Sequence, residues 1–199
     1  MEQVSAHAHP AHVETSTGLD NRKLGIWLFL GSEVMFFSAL IAVYLLTRAS
    51  AEKPVEIMQE AIPLVSVNTF LLIVSSLTMA LALGLVRRGN QRAFKLSLLA
   101  TIVLGATFVG IQLFEYYELG LKGLTLNGVP YIFGSTFFLL TGFHGLHVSG
   151  GVIWNSLVLL KALRGGFSRE NSLGVELAGL YWHFVDLVWI VLFTIIYLV

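Results

Sequence analysis

The chain has no cysteine in 199 residues. That removes thiolate catalysis, disulfides, iron–sulfur ligation and covalent c-type haem attachment from this chain. Charge is equally scarce. Asp, Glu, Lys and Arg make up 12% of the residues, against about 25% in soluble domains. Twelve basic and twelve acidic residues cancel to a formal net charge of zero, so nothing in the charge balance points to nucleic acid or to an acidic substrate. Residues 1–20 lack a basic start followed by an apolar core, so they read as a polar tail and not as a secretory signal. His7, His9 and His12 in that tail have the composition of a metal-binding tract, but the favoured reading is a mobile terminus that happens to hold three histidines. A strong internal repeat is also missing, which weakens a transporter reading.

Apolar sequence fills the space these absences leave. Hydrophobic residues make up 56% of the chain and mean hydropathy is +0.79. Apolar runs of more than about 18 residues recur, the mark of transmembrane helices. The expected fold is all-α: a polytopic membrane bundle of five helices over 24–47, 62–86, 94–119, 131–163 and 174–199, forming one domain over 21–199. A charged loop with Pro54 is expected over 48–61, with Pro63 in the first turn of the second helix. The fourth helix, roughly 50 Å long if straight, is expected to tilt or to extend beyond the bilayer. Gly142, Gly145, Gly150 and Gly151 cluster within it. In a membrane such residues let a neighbouring backbone come close, so this helix is expected at the centre of the bundle.

Basic residues set the orientation. Arg22, Lys23, Arg87, Arg88, Arg92, Lys95, Lys161, Arg164 and Arg169 fall on one side, and Arg48, Lys53 and Lys122 on the other. Nine against three places the N-terminus in the cytoplasm and the C-terminus outside.

Five ionisable residues then fall near the middle third of the bilayer: Glu33, His144, His147, His183 and Asp186. Each costs about 2.5–3.5 kcal/mol on insertion scales, so they should face the bundle and pair. His183 and Asp186, at i and i+3, can meet on one helix face. Glu33, about 14 Å along its helix, is the natural partner for a histidine elsewhere. Glu115 and Glu118, with Tyr116 and Tyr117, are expected near the membrane surface. Three roles compete for the buried groups: hydrogen-bonded glue, proton handling, and a metal site. A di-iron carboxylate bundle wants Glu-x-x-His on two helices. The spacings here are Glu-x-x-Glu at 115/118, His-x-x-His at 144/147 and His-x-x-Asp at 183/186, so no such motif is complete. His144 and His147, on one helix face, cannot serve as both axial ligands of one haem; His144 with His183 remains open.

Several stretches, in this order, closely resemble subunit III of the haem-copper oxidases, the cytochrome c oxidase subunit 3 family: Leu30-Gly-Ser-Glu33-Val-Met-Phe-Phe37, Asn68-Thr-Phe-Leu-Leu-Ile-Val-Ser-Ser76, Gln112-Leu-Phe-Glu115-Tyr116, Gly134-Ser-Thr-Phe-Phe138, Thr141-Gly-Phe-His-Gly-Leu-His147 and Tyr181-Trp-His-Phe-Val-Asp-Leu-Val-Trp189. The chain looks like the short bacterial form, which lacks the first two of seven helices. The resemblance implies an accessory subunit without haem or copper, those centres lying in subunits I and II. It implies direct packing on subunit I, association with subunit II and a small subunit IV, a place in aerobic respiration and proton translocation, bound phospholipid, and a bacterial plasma membrane. It places the family's carbodiimide-reactive glutamate on Glu33, and basic positions near lipid headgroups on Lys161 and Arg164, which ordinary positive-inside topology explains equally well. Ser-Glu at 32–33 and Phe-His-Gly-Leu-His at 143–147 lean towards cytochrome c as donor, with a quinol oxidase as the alternative. A free-standing membrane metalloenzyme and a small transporter are the rivals from other classes.

Overall fold

The computed structural model describes residues 20–48, 52–124 and 132–198, with the side chains of 52–59 outside that description. The histidine tail and Pro130 also lie outside it. Among the described residues five helices are long and apolar enough to cross a membrane: α1 Asn21–Arg48, α2 Glu52–Arg87, α3 Gln91–Leu121, α4 Ile132–Leu163 and α5 Leu173–Phe193. A π-helical turn, Thr194–Leu198, closes the last.

Two boundaries differ from the sequence expectation. Residues 52–61 are helix, not loop, and Pro63 lies inside α2. Pro54 falls in the first turn of α2 instead, where a missing N–H costs nothing because the first four are unpaired anyway. The residues between the prolines (Glu56, Met58, Gln59, Glu60 and Ala61) are good helix formers, so the helix continues through them. At the other end of the chain, the π turn replaces α-helix over the final residues.

The interior follows a heptad-like seam. Buried positions alternate three and four residues apart. In α3 they are Phe94, Leu98, Thr101, Gly105, Phe108, Gln112, Glu115 and Leu119. In α5 the series Val175, Ala178, Trp182, Val185, Trp189, Leu192 and Ile196 does the same. A seam at this spacing holds its line along a left-handed supercoil, the usual packing of membrane bundles. Helix α1 buries only Leu30, Phe37 and Tyr44, each seven apart.

Helices α2, α3, α4 and α5 pack in a ring, and α1 lies against α4 and α5. The sequence puts α4 at the centre; in the structure α4 touches α1, α3 and α5, and α5 touches α1, α2 and α4, so the two share the inner position. Half of α5's most apolar stretch is buried, against 28% of α4's. The deeper burial of α5 comes with its two large side chains, Trp182 and Trp189, which fill the interior.

The helix ends are tied. At one end Lys23 and Arg87 grip Glu176 at 2.6 and 2.8 Å, joining α1, α2 and α5. Gly89 and Gly165, both at positive φ, close α2 and α4 with paired backbone bonds to the preceding turn. At the opposite end Arg48 donates to the carbonyls of Ile195 and Ile196. Those carbonyls belong to the π turn, so the guanidinium helps satisfy a helix end.

Candidate functional site

Glu33 on α1 and His147 on α4 meet across the helix contact, Oε2 to Nε2 3.1 Å. Both side chains are mostly enclosed, at 16% and 19% exposure. The edge of the Phe37 ring lies 5.1 Å from the imidazole, centroid to centroid. His147 Nδ1 sits 2.7 Å from the Phe143 carbonyl. A carbonyl only accepts, so Nδ1 carries a proton and donates it. The Nε2–Oε2 contact then needs one proton of its own, on either the imidazole or the carboxyl. The pair is therefore neutral overall, whether written as an ion pair or as two uncharged groups. Among the described residues no other ion pair involves Glu33. A group that can hold a proton on either of two atoms is suited to proton exchange; it equally satisfies two polar groups in an apolar setting.

His144, one turn before His147, is in a different environment. It is fully buried, its Nε2 donates to the Val185 carbonyl at 3.2 Å, and its Nδ1 has no partner. The ring stacks on Trp189 at 4.8 Å and meets the edge of Phe108 at 5.9 Å. It is a packing element between α4 and α5, in aromatic surroundings.

The expected His183–Asp186 contact does not form. His183 Nδ1 turns instead to the Ser76 hydroxyl on α2, at 2.6 Å. Both Asp186 carboxylate oxygens are buried without a hydrogen-bond partner. The physical reason is competition: Ser76 offers the imidazole a short bond across the α2–α5 seam.

Glu115 packs inside the bundle, on the buried face of α3. It is 3% exposed, and Tyr197 in the π turn donates to its Oε1. Glu118, three residues on, is exposed. The α3 seam passes through 115 and not 118, which separates them. Lys161 and Arg164 are exposed at the end of α4, with Lys161 Nζ 4.9 Å from the Phe167 ring centroid. Among the described residues no three His, Asp or Glu side chains converge as metal ligands.

Sequence reasoning missed the groups that hold this arrangement. Trp182 Nε1 donates to Ser75 and Trp189 Nε1 to Thr69, at 3.0 and 2.9 Å. The Trp182 indole lies between two glycines: an added Cβ would fall 2.5 Å from it at Gly105 and 2.7 Å at Gly151. Thr69, Ser75 and Ser76 stand in the polar stripe of the second helix, which marks a contact but not its partner.

The sequence profile of the family described as cytochrome c oxidase subunit III matches residues 2–199. The cytochrome c oxidase subunit 3 of Alkalihalophilus pseudofirmus is 35% identical over 195 residues, covering 95% of this chain and 92% of the relative. The quinol oxidase subunit 3 of Bacillus subtilis is 36% identical over 192 residues, with the same coverage of both chains. The cytochrome c oxidase subunit 3 of Bacillus sp. PS3 is 35% identical over 205 residues, covering 99% and 96%. With five membrane-length helices and a match of this extent, the chain belongs to the cytochrome c oxidase subunit III family.

Proposed function

We propose that this chain is the accessory, non-redox subunit of a proton-pumping terminal oxidase in a bacterial plasma membrane. It packs on subunit I, stabilises it, and supports proton uptake at the mouth of its proton path. Haem and copper belong to the partner subunits, subunit II and a small subunit IV among the neighbours. The observation that carries the reading is the family match over residues 2–199. The N-terminus is cytoplasmic, on the evidence of the nine-to-three split of basic residues. Within this role Glu33 is the proton-related residue, supported by its single-proton contact with His147. Lys161 and Arg164 are candidates for anionic lipid headgroups, supported by their exposure at the basic end of α4.

Cytochrome c is the proposed donor to the complex. A quinol oxidase is the second reading, because the Bacillus subtilis quinol oxidase subunit matches as well as the cytochrome c oxidase subunits do. Tagging the chain, extracting it from native membranes in mild detergent and assaying oxygen uptake with each donor tests both. Turnover with reduced cytochrome c supports the first reading; turnover with quinol alone supports the second. A chain that purifies by itself contradicts the accessory role.

A further inference from the structure

Helix α5 and its π turn carry two seams. One turns inward, through Trp182 and Trp189. The other turns outward: Leu180, His183, Leu187, Ile190 and Thr194 recur at alternating steps of three and four residues. Leu187 and Ile190 are 61% and 44% exposed, Thr194 is exposed, and Leu180 and His183 are half-buried. Two helices flank this outer seam. Phe29 of α1 stacks on Tyr181 with ring centroids 6.2 Å apart, and Ser76 of α2 meets His183. A three-four spacing on an open helix face is the pattern into which another helix packs.

Polarity narrows the occupant. Counted from Leu173, His183 lies ~15 Å along α5, halfway through a hydrocarbon core of about 30 Å. Its Nδ1 is taken by Ser76. Its Nε2 reaches the surface and has no hydrogen-bond partner among the described residues. Whichever ring nitrogen carries the proton, Nε2 is left either to donate or to accept. Acyl chains can do neither. Other polar side chains on the outer surface are satisfied within their own helix. Ser32 gives its hydroxyl to the Phe29 carbonyl, Thr107 to that of Val103 and Thr194 to that of Ile190. The Nε2 of His183 has no such return. One turn on, both Asp186 carboxylate oxygens are buried without a partner, so this level of α5 has more hydrogen-bonding capacity than the chain itself satisfies.

We propose that the outer seam of α5 receives a transmembrane helix of a partner oxidase subunit, which presents a hydroxyl or amide side chain to His183 Nε2 near mid-membrane. A hydroxyl or an amide serves either tautomer, since each can both give and take a hydrogen bond. Leu180, Leu187 and Ile190 supply the packing on either side of that polar contact. The proposal rests on the accessory-subunit reading and names a face through which the chain joins the complex.

The test places a photoreactive benzoylphenylalanine at position 187 in the purified complex. Position 103 carries the same group as a control: Val103 is 54% exposed on α3, across the ring from α5. After illumination, adducts are located by peptide mass spectrometry. Position 187 should join to a membrane segment of another subunit in excess of position 103. His183→Leu should lower the retention of partner subunits in a detergent wash by roughly two- to tenfold, the equivalent of one hydrogen bond. His183→Gln should restore part of it. Ser76→Ala cuts only the bond inside the chain and should keep the partner, which separates a contact role from internal packing. The cross-link at 187 is read with His183 in place, so it carries the test even where His183→Leu does not accumulate. Adducts from 187 to lipid alone, to a second copy of this chain, or no more often than from 103 overturn the proposal. So does equal loss of the partner in Ser76→Ala and His183→Leu. With those results in an intact complex the accessory-subunit reading stands; a chain that purifies with no partner overturns both.

Discussion

Tyr197 donates a hydrogen bond from its hydroxyl to the Glu115 carboxyl, and so the π turn at the end of α5 is fastened to α3. Both residues are at least 95% enclosed. A buried acceptor that loses its donor costs about 1–3 kcal/mol, whereas replacing both partners by apolar groups of similar shape can be nearly neutral. Tyr197→Phe should therefore lower the thermal midpoint of the purified complex. Tyr197→Phe combined with Glu115→Leu should recover part of that loss. A double variant that falls by the sum of the two single losses would show that the two residues act independently.

The Trp182 sandwich makes a second, steric prediction. Gly105→Leu and Gly151→Leu each force the indole to move, at about 1–3 kcal/mol for overpacking. Trp182→Ala leaves a cavity and should cost about 3–5 kcal/mol. Near-native thermal stability in both glycine variants would contradict the close approach at these positions.

At the α2–α5 seam the pairing is His183 with Ser76. Ser76→Ala and His183→Ala should each destabilise by about 1–3 kcal/mol, and a double-mutant cycle should show a coupling energy of about 0.5–3 kcal/mol. Additive losses would mean that the serine and the histidine do not share a bond. His183 and Asp186 should couple less strongly than His183 and Ser76.

For Glu33, a test of chemistry is available. Glu33→Gln should abolish carbodiimide labelling of this chain while subunit assembly stays intact. Unchanged labelling would remove the case for this carboxyl. His147→Leu should also alter labelling, because the carboxyl then loses the imidazole that shares its proton.

Helix number was legible in the sequence, because length and hydropathy alone report it. Of the partnerships, only one was: Glu33 meets a histidine on another helix, His147. Every helix is apolar on its lipid face and on its packed face, so the three-four seam at Phe94, Leu98, Thr101 and Gly105 does not stand out from Leu96, Leu99 and Val103, which face outward. Without that seam, nothing separates Glu115, which packs inside the bundle, from Glu118, which is exposed. His183 and Asp186 share a face by spacing, but spacing carries no information about the serine on the neighbouring helix. Gly151 was legible as a close contact; the tryptophan it admits was not. Pro63 misled for a related reason: a proline fits a helix start, yet the good helix formers before it began the helix a full ten residues earlier.

The central claim is that this chain works as one subunit of a larger oxidase. The most direct measurement is the optical spectrum and subunit composition of tagged chain isolated from native membranes in mild detergent. The account predicts haem absorbance and larger partner chains in fixed proportion to this one, with the haem signal leaving when this chain is split away. A chain that emerges alone, carrying metal or an activity of its own, would contradict it and leave the family relationship as one of fold.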